Sequence, residues 1–435
     1  MSGPRVLVVG QGGREHALLD ALHASAEHPH LYVAPGNPGM EPLAERVPIS
    51  VTDVAGLTAW ARAQKPDLVI IGPDAALAAG LADSMRDAGF ATLGPGREAA
   101  RLEWSKRYTK ELLLRLGLPT AAFRVAESAE EAERLIEGAP YPLVLKADGL
   151  AAGKGVVIAR DVGEARATVD GWMRRGELGD AAKSVVVEEC LEGEEASILV
   201  LTDGERWLLF PTSRDHKRIG DGDVGPNTGG MGACAPARVP SPAESQRIAQ
   251  RVVDPILSTL REAGKPFQGV LYLGLMLTSS GPMVLEINAR FGDPEAQVIL
   301  PLLKEDAYPL FLAAARGALP ADRHGSRVVH RGAAVCVILA ARGYPGRPET
   351  GAPIDGLDGP WQEELRIYCA GVERRGPQWI VSGGRVVGVT ARSETLDRAR
   401  TLAYEAVRRI RFEGMQYRKD IALAPLSSGA LADER

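Results

Sequence analysis

Side chains suited to metal and phosphate chemistry gather in the run MVLEINARFGDPE, residues 283–295. Glu286 and Asn288 are two residues apart in a stretch with strand character, so both side chains should point to one face. Carboxylate and amide oxygens suit Mg²⁺, whose coordination shell is usually completed by substrate phosphates. Arg290 should fall on the same face, where its guanidinium could bind a phosphate or a carboxylate. We interpret this run as a metal–phosphate site, because these side chains are poor choices for a core.

A second candidate is the glycine-rich loop that ends in Gly153, Lys154 and Gly155. It is not a phosphate-binding loop of the Walker type, because Asp148 replaces the first glycine and Gly155 replaces the Ser or Thr. The loop joins two short apolar runs that read as antiparallel strands. Such a hairpin can fold over a triphosphate and donate backbone N–H groups, with Lys146 on the preceding strand supplying a fixed charge. A flexible hairpin with solvated lysines is the alternative.

Carboxylates follow the apolar run VVV in the segment VVVEECLEGEE, residues 185–195. A strand that ends in Glu188 and Glu189 can present backbone groups to an adenine edge and a carboxylate to ribose hydroxyls. Taken alone, a solvated acidic loop is the better interpretation of this segment.

The loop DHKRIGDGDVGPNTGGMG, residues 215–232, is too polar for a core and too long for a simple turn. Long loops of this kind usually carry function. It combines Asp215, His216, Lys217 and Arg218 with an asparagine, a threonine and several glycines. His216 alone reads equally well as a surface histidine.

Near the start of the chain, the turn GQGGRE follows an apolar strand and opens a helix, which is an arrangement that binds anions. A dinucleotide fingerprint would need a third glycine where Glu15 stands, and an acid after the second strand, which ends instead in Val33-Ala34-Pro35. Another phosphorylated ligand is therefore the preferred interpretation. A nicotinamide cofactor and a purely structural turn remain the alternatives.

Strands and helices alternate over residues 1–100, which predicts a parallel α/β unit. Helical character follows at 105–120, then a compact α+β unit at 122–190, further strands and helices to about 325, and a mostly β region that contains a helix at 394–411. Asp293 followed by Pro294 predicts the N-cap and first residue of a helix. The predicted strands are Arg5 to Val9, His30 to Ala34, Asp67 to Ile71, Leu143 to Ala147, Val156 to Ala159, Val185 to Glu189, Ala196 to Thr202, Trp207 to Pro211, Val270 to Thr278, Met283 to Ala289, Val328 to Ala341 and Arg385 to Thr390.

Composition narrows the class of protein. The 435 residues carry 51 basic and 56 acidic side chains, and this net charge of −5 argues against a nucleic-acid binder or a polybasic membrane binder. Four cysteines lie far apart without a CxxC pair, which argues against a zinc site and a disulfide framework. The longest apolar run is too short to cross a bilayer, and the first residues do not resemble a signal segment, so we expect a cytoplasmic protein.

The motifs taken together resemble a known family. VVGQGGREHAL, APGNPG, KADGLAAGKGVV, EGEEAS, DHKRIGDGDVGPNTGGMGA and LEINARFGDPE, in this order, are similar to the glycinamide ribonucleotide synthetases, which are phosphoribosylamine–glycine ligases of the ATP-grasp superfamily. The similarity runs from about residue 5 to residue 422. It implies a multidomain α/β and α+β protein: a Rossmann-like N-domain at 1–104, an ATP-grasp domain at 105–325 with a small lid at about 122–192, a β-rich C-terminal domain at 326–427, and a tail at 428–435.

The resemblance implies the ligation of glycine to 5-phosphoribosylamine, with ATP converted to ADP and phosphate through a glycyl phosphate. Its cofactor would be Mg²⁺ or Mn²⁺ on Glu286 and Asn288, and the protein would be a monomer or weak dimer. The residues implied in catalysis are Lys146, Arg290, Asp215 and Lys217. Those implied in ATP binding are Lys106, Lys146, Gly153, Lys154, Gly155, Glu188, Glu189, Leu191 and Glu195. Those implied in substrate binding are Gly12, Gly13, Arg14, Glu15, Asn37, Asp215, Lys217, Asn227 and Arg290.

Three segments depart from the family pattern. GPDAAL places Asp74 where a glutamate is usual, Ile287 replaces a phenylalanine, and IYCAGV places Cys369 and Val372 where His and Thr are usual. Two alternatives therefore stay open: another ATP-grasp ligase or carboxylase acting on a purine-pathway ribonucleotide, and a nucleotide-binding regulatory protein on a ligase fold.

Overall fold

The computed structural model describes residues 3–151 and 155–423. Five parallel strands form its first sheet, in the spatial order β3-β2-β1-β4-β5, so the predicted parallel α/β unit is confirmed. The apolar runs of β1, β2 and β4 are buried on both faces, as a parallel sheet covered by helices requires. The elements are β1 (Arg5–Gly10), α1 (Gly13–His23), β2 (His30–Pro35), β3 (Glu45–Arg46), α2 (Val54–Gln64), β4 (Leu68–Ile71), α3 (Asp74–Ala78), α4 (Leu81–Asp87) and β5 (Thr92–Leu93).

Two helices lead into a small antiparallel sheet in the order β6-β9-β7-β8. Ser105 caps the second helix, where its side chain accepts a hydrogen bond from the Tyr108 N–H. The antiparallel pair predicted on either side of the glycine loop is confirmed, with Lys146 opposite Val156. The elements are α5 (Arg101–Trp104), α6 (Lys106–Arg115), β6 (Phe123–Ala126), α7 (Ala129–Glu137), β7 (Leu143–Ala147), β8 (Val156–Ala159), α8 (Val162–Val169) and β9 (Val185–Glu189).

A larger antiparallel sheet, in the order β11-β10-β16-β17, carries the residues of the first candidate site. Its long helix begins at a capping box formed by Ser241 and Glu244 and buries one apolar face, as an amphipathic pattern requires. The elements are β10 (Glu194–Asp203), β11 (Trp207–Leu209), β12 (Arg214–Asp215), β13 (Arg218–Gly220), β14 (Val224–Asn227), β15 (Gly232–Ala235), α9 (Pro242–Glu262), β16 (Gln268–Thr278), β17 (Gly281–Asn288), α10 (Ala296–Ile299) and α11 (Ala307–Ala315).

The last part of the chain forms a five-stranded sheet in the order β12-β15-β18-β23-β20 and a three-stranded sheet in the order β19-β22-β21. Because β12 and β15 come from the middle of the chain, the polar loop at 215–232 starts and ends in the same sheet as the C-terminal strands. The strand expected from Val328 begins later, at Ala333. The elements are β18 (Ala333–Ala340), β19 (Pro353–Ile354), β20 (Leu365–Cys369), β21 (Val372–Arg375), β22 (Gln378–Val381), β23 (Arg385–Ser393) and α12 (Leu396–Val407).

Among the helices of the described ranges, none combines the length and the apolar character needed to span a lipid bilayer.

Candidate active site

Three ammonium groups surround one carboxylate at the end of β17. Lys217 Nζ lies 3.1 Å from Glu286 Oε1, and the charges of Lys146 and Lys106 also act on this carboxylate. Lys217, followed by Lys146 and Lys106, lowers the pKa of Glu286 to about 2, although burial opposes this. Burial is the largest single effect on Lys217 and opposes its charged form, but Glu286 and the neighbouring acidic groups together outweigh it and raise the pKa of Lys217. The arrangement is a cationic pocket around one ionised carboxylate, which suits a polyphosphate bound with a metal ion.

Glu286 and Asn288 share one strand face, as their spacing predicted. Asn288 Nδ2 lies 3.4 Å from Glu286 Oε1, so the carboxylate and the amide can reach one ion together. Ile287 between them points the other way and is buried in a hydrophobic core. In the described ranges, no group of three or more His, Cys, Asp or Glu side chains could hold a metal by itself. Two oxygen donors from protein therefore fit Mg²⁺ that takes its remaining ligands from phosphate and water.

Lys146 is held in place by two protein acceptors. Its Nζ lies 2.9 Å from Glu188 Oε2 and donates to the Leu285 carbonyl at 2.9 Å. Glu188 also pairs with Lys110, whose Nζ is 3.0 Å from the same oxygen. The expectation of a solvated acidic loop is therefore wrong for Glu188, because its carboxylate is buried between two ammonium groups.

The other residues implied in ATP binding lie around the junction of the two antiparallel sheets. Glu189 N donates to the Ala122 carbonyl and Glu189 Oε1 accepts from Ala122 N, so this residue joins β9 to the segment before β6. Leu191 lies in the connection between β9 and β10, and Glu195 lies on β10 with its carboxylate 3.9 Å from Lys217 Nζ.

The residues that flank the glycine loop make contacts on both sides of it. Lys106 Nζ lies 3.4 Å from the Gly149 carbonyl, and Gly155 O accepts from Ala147 N. Burial lowers the pKa of Lys106. Gly153 and Lys154 lie outside the described residues.

Arg290 belongs to a second polar cluster. The prediction that it shares the strand face of Glu286 is wrong, because β17 ends at Asn288 and Arg290 lies in the bend that follows. Its Nη2 lies 2.7 Å from Glu103 Oε1, and Glu103 Oε2 accepts from Ala289 N at 2.7 Å. The Nε of Arg290 is buried without a partner among the described residues. Glu103 thus fixes the guanidinium, and the Arg290 side chain as a whole is 19% exposed.

The predicted helix start at Asp293-Pro294 is also wrong. The helix α10 begins at Ala296, and the Asp293 carboxylate instead lies 3.0 Å from Arg385 Nη2 and accepts from Gln297 Nε2. A buried ion pair with the C-terminal sheet takes precedence over helix capping at this position.

The glycine turn of the N-terminal unit packs against this second cluster. Gly12 N donates to Glu15 Oε2 at 2.7 Å, so the amino end of α1 is capped by its own carboxylate. Arg14 Nε donates to Glu15 Oε1, and Arg14 Nη1 donates to the Phe291 carbonyl at 3.1 Å. A Cβ on Gly13 would approach Gln297 Nε2 to 2.5 Å, so a larger residue here would displace the Gln297 amide of α10. Much of this turn is therefore structural.

Asn37 joins the N-terminal unit to the C-terminal sheet. Its Nδ2 donates to the carbonyls of Gln11 and Cys369, at 2.8 and 2.9 Å. Cys369 N in turn donates to His16 Nδ1, and burial lowers the pKa of His16 to about 4, so this imidazole is a neutral acceptor. The Cys369 thiol is buried, which raises its pKa to about 12. The unusual residue Cys369 thus contributes backbone groups and packing at this contact, and Val372 lies in the neighbouring core.

Asp215 and Lys217 line a small enclosed cavity of about 10 Å³ beside Glu195 and Leu285. Burial, followed by the charge of Glu295, raises the pKa of Asp215 well above its usual range. Asp215 Oδ1 is buried and has no partner among the described residues. Such an oxygen has the capacity to accept a hydrogen bond from an amine.

The rest of the polar loop is tied to the C-terminal region. Arg418, which is 1% exposed, donates to Asp223 Oδ1 and to the Arg218 carbonyl. His216 is buried and its Nε2 accepts from Ala422 N, so the surface interpretation of His216 is wrong. Burial, then Arg418, lowers its pKa to about 4. Asn227 ends β14 opposite Arg218.

The structure thus brings Lys106, Lys146, Lys217, Glu286 and Asn288 together, and pairs Arg290 with Glu103, whose charge also acts on Lys106. Sequence reasoning missed Lys110 and Glu103, which support Lys146 and Arg290. A usable signal existed for Lys110, because it lies four residues after Lys106 on one helix face. No comparable signal marks Glu103, since its partner is far away in the chain.

Three family descriptions match this chain in succession. Residues 4–103 match the N domain of phosphoribosylglycinamide synthetase, residues 104–296 match its ATP-grasp (A) domain, and residues 334–424 match its C domain.

Similar proteins cover the same length. A phosphoribosylamine–glycine ligase of Mesorhizobium japonicum is 45% identical over 96% of this chain and 97% of its own, and one of Phenylobacterium zucineum is 46% identical over 96% and 98%. The crystal structure of phosphoribosylamine–glycine ligase from Thermotoga maritima superposes with a TM-score of 0.83 at 35% identity, covering 96% of this chain and all of the other. A biotin carboxylase domain from Hydrogenobacter thermophilus, at 16% identity and a TM-score of 0.74, shares the fold over 96% of this chain and 92% of its own.

Proposed function

The chain belongs to the phosphoribosylglycinamide synthetase family, and from this membership we propose how its residues carry out the ATP-dependent ligation of glycine to 5-phosphoribosylamine. It is a carboxylate–amine ligase of purine biosynthesis that uses ATP as cosubstrate. The observation that carries the proposal is the cationic pocket of Lys106, Lys146 and Lys217 around Glu286.

Phosphoryl transfer needs positioning and charge neutralisation more than a covalent protein intermediate. In our proposal an oxygen of the glycine carboxylate attacks the γ-phosphorus of ATP, the bond to the β-phosphate oxygen breaks, and ADP leaves. The amine of 5-phosphoribosylamine then attacks the carbonyl carbon of the glycyl phosphate. Phosphate leaves with one former carboxylate oxygen, and the nitrogen loses a proton. No nucleophilic serine or cysteine is needed.

The nucleotide is proposed to lie between the two antiparallel sheets. Lys106 and Lys146 contact its phosphates, the segment from Glu188 to Leu191 borders adenine, and Glu195 reaches the ribose. Gly153, Lys154 and Gly155, which follow β7 in the chain, are also proposed to bind the phosphates, and this contact would exclude water from a hydrolysable acyl phosphate. Support comes from Lys146, whose two protein contacts leave a third N–H free for a phosphate oxygen.

A divalent ion, Mg²⁺ or Mn²⁺, would be held by Glu286 and Asn288. When bound, it would neutralise charge on the transferring phosphoryl group. Glu286 is ionised at every pH at which the enzyme would work, because Lys217 and its neighbours keep its pKa at about 2. A deprotonated oxygen donor is therefore always present for the ion.

The two remaining substrates are proposed to meet on the N-terminal side of this pocket. Arg290, fixed by Glu103, would bind a carboxylate or phosphate, and Asp215 with Lys217 would contact the reacting amine. Asn227 and the turn residues Gly12, Gly13, Arg14, Glu15 and Asn37 would shape the site for 5-phosphoribosylamine. Glu15 and Asn37 already make hydrogen bonds to protein groups, so we expect them to hold the turn in place more than to contact the substrate directly.

We also propose that the chain is divided into domains at 1–104, 105–325 and 326–427. The protein is proposed to be a monomer or a weak dimer and to be located in the cytoplasm. The family matches at 4–103 and 334–424 support the outer limits, and the role in purine biosynthesis supports this location. The tail at 428–435 lies outside the described residues.

The decisive experiment is incubation of the protein with ATP, Mg²⁺, glycine and 5-phosphoribosylamine, with omission of each in turn. Phosphate release that needs all four components supports the ligase reaction. Phosphate release with bicarbonate in place of glycine would instead favour a carboxylase.

A further inference from the structure

One carboxylate lies between two ammonium groups beneath the proposed phosphate site. Glu188 Oε2 is 2.9 Å from Lys146 Nζ and 3.0 Å from Lys110 Nζ. The three side chains are 2%, 8% and 3% exposed, respectively. Three charges buried so deeply need mutual compensation, since each alone would carry a large desolvation penalty.

Lys110 is also fixed by a second contact, with Thr120. Its Nζ donates to Thr120 Oγ1 at 2.7 Å, and that hydroxyl donates to the Val284 carbonyl at 2.8 Å. Val284 belongs to β17, the strand that continues to Glu286. The ammonium of Lys110 is thus anchored to the strand that carries the metal ligands, and its described contacts are all with protein.

The ammonium of Lys110 changes the net charge beside the proposed phosphate site. A pair of Lys146 with Glu188 alone would be neutral and would attract a polyphosphate weakly. The second ammonium compensates Glu188, so the trio keeps a net charge of +1. Both ammonium groups contact the same oxygen, Glu188 Oε2, and the two protein acceptors of Lys146 leave its third N–H free for a phosphate oxygen. Lys110 therefore acts through its charge.

We propose that Lys110 is a positioning residue for ATP, which keeps the ammonium of Lys146 available to the nucleotide phosphates by compensating the charge of Glu188. This inference rests on the proposed contact of Lys146 with phosphate. It assigns to Lys110 no contact with ATP, glycine or 5-phosphoribosylamine. Burial, then Lys146, lowers the pKa of Lys110 to about 8, which is the cost of placing a second ammonium in this interior.

The test compares Lys110→Met with the wild-type enzyme in three measurements: the ATP and glycine KM values, the Kd of ADP by calorimetry, and the midpoint of thermal unfolding. We expect the ATP KM and the ADP Kd to rise at least about fivefold, with the glycine KM changed less than about twofold. An unchanged ATP KM and ADP Kd in a folded variant would overturn the proposal. Lys110→Gln, which keeps a hydrogen bond to Thr120 without charge, serves if Lys110→Met does not fold.

A second change separates charge compensation from a purely structural role. In Lys110→Met/Glu188→Gln the uncompensated carboxylate is gone, so we expect the ADP Kd to fall back toward the wild-type value. A structural role of Lys110 would leave the double variant as weak as Lys110→Met or weaker, and this result would refute the proposal.

Lys146→Met, measured in parallel, separates a failure of the proposed phosphate site from a failure of the role given to Lys110. If Lys146→Met leaves the ATP KM unchanged, the proposed phosphate site is wrong. If Lys146→Met raises the ATP KM and Lys110→Met does not, the site stands and only the role of Lys110 is wrong.

Discussion

The replacement Lys146→Met removes the ammonium that we place on the ATP phosphates and keeps much of the bulk of the side chain. Glu188 retains a partner in this variant, because Lys110 Nζ lies 3.0 Å from the same carboxylate oxygen. The Leu285 carbonyl loses its donor, which costs about 1–3 kcal/mol of stability when such a group is buried. We therefore expect the variant to fold, with a lowered midpoint of thermal unfolding.

The expected effect on ATP follows from the single free N–H of Lys146. A hydrogen bond to a charged group contributes about 1.5–3 kcal/mol. At roughly tenfold for each 1.4 kcal/mol, the ATP KM and the ADP Kd should rise about 10- to 150-fold. Glycine is not assigned to this ammonium, so its KM should change little.

Steady-state phosphate release at varied ATP and at varied glycine measures both constants, and calorimetry with ADP measures affinity without turnover. Lys304→Met is the matched control, because Lys304 is exposed and lies just before α11, outside the elements that carry the pocket, and it should behave as the wild type. A rise in the glycine KM with an unchanged ATP KM would refute the assignment and place Lys146 at another site.

Three further predictions concern the metal, the intermediate and pH. Glu286→Ala should retain less than about a tenth of wild-type turnover at ordinary Mg²⁺, since it removes the one charged metal ligand of the proposed pair. Glycine labelled with ¹⁸O in both carboxylate oxygens should give phosphate with one labelled oxygen, as read by mass spectrometry, if glycyl phosphate forms. Lys217 is the main cause that lowers the pKa of Glu286 from 4.5 to about 2, so the stability it contributes is complete above pH 4.5 and is lost as pH falls toward 2. Lys217→Met should therefore raise the pH midpoint of acid unfolding, followed by tryptophan fluorescence.

Each of these has an outcome that contradicts it. Turnover of Glu286→Ala above a tenth of wild type would remove the metal assignment. Unlabelled phosphate with normal amide product would exclude the acyl phosphate while leaving the reaction intact. An acid-unfolding midpoint of Lys217→Met equal to that of the wild type would mean that Lys217 does not set the ionisation of Glu286.

Local patterns were enough to predict the elements that carry the site. Short apolar runs followed by glycine or polar turns predicted β1, β2, β4, β7 and β9, because burial on a sheet requires such runs wherever the rest of the chain lies. The two-residue spacing of Glu286 and Asn288 predicted a shared face for the same reason, since alternation is a property of the strand itself. Arg290 was placed wrongly because the pattern does not mark where a strand ends.

The sequence by itself determined the main buried strands, the order of the motifs and the family to which the chain belongs. Only the tertiary structure decided which charges meet: Glu188 with Lys110 and Lys146, Glu103 with Arg290, and Asp293 with Arg385. The physical reason is the distance along the chain over which each kind of interaction acts. Backbone geometry and side-chain alternation act over a few neighbouring residues. The ionisation and orientation of a buried charge depend instead on groups that lie 42 to 187 positions away in the chain and come close only when the sheets pack.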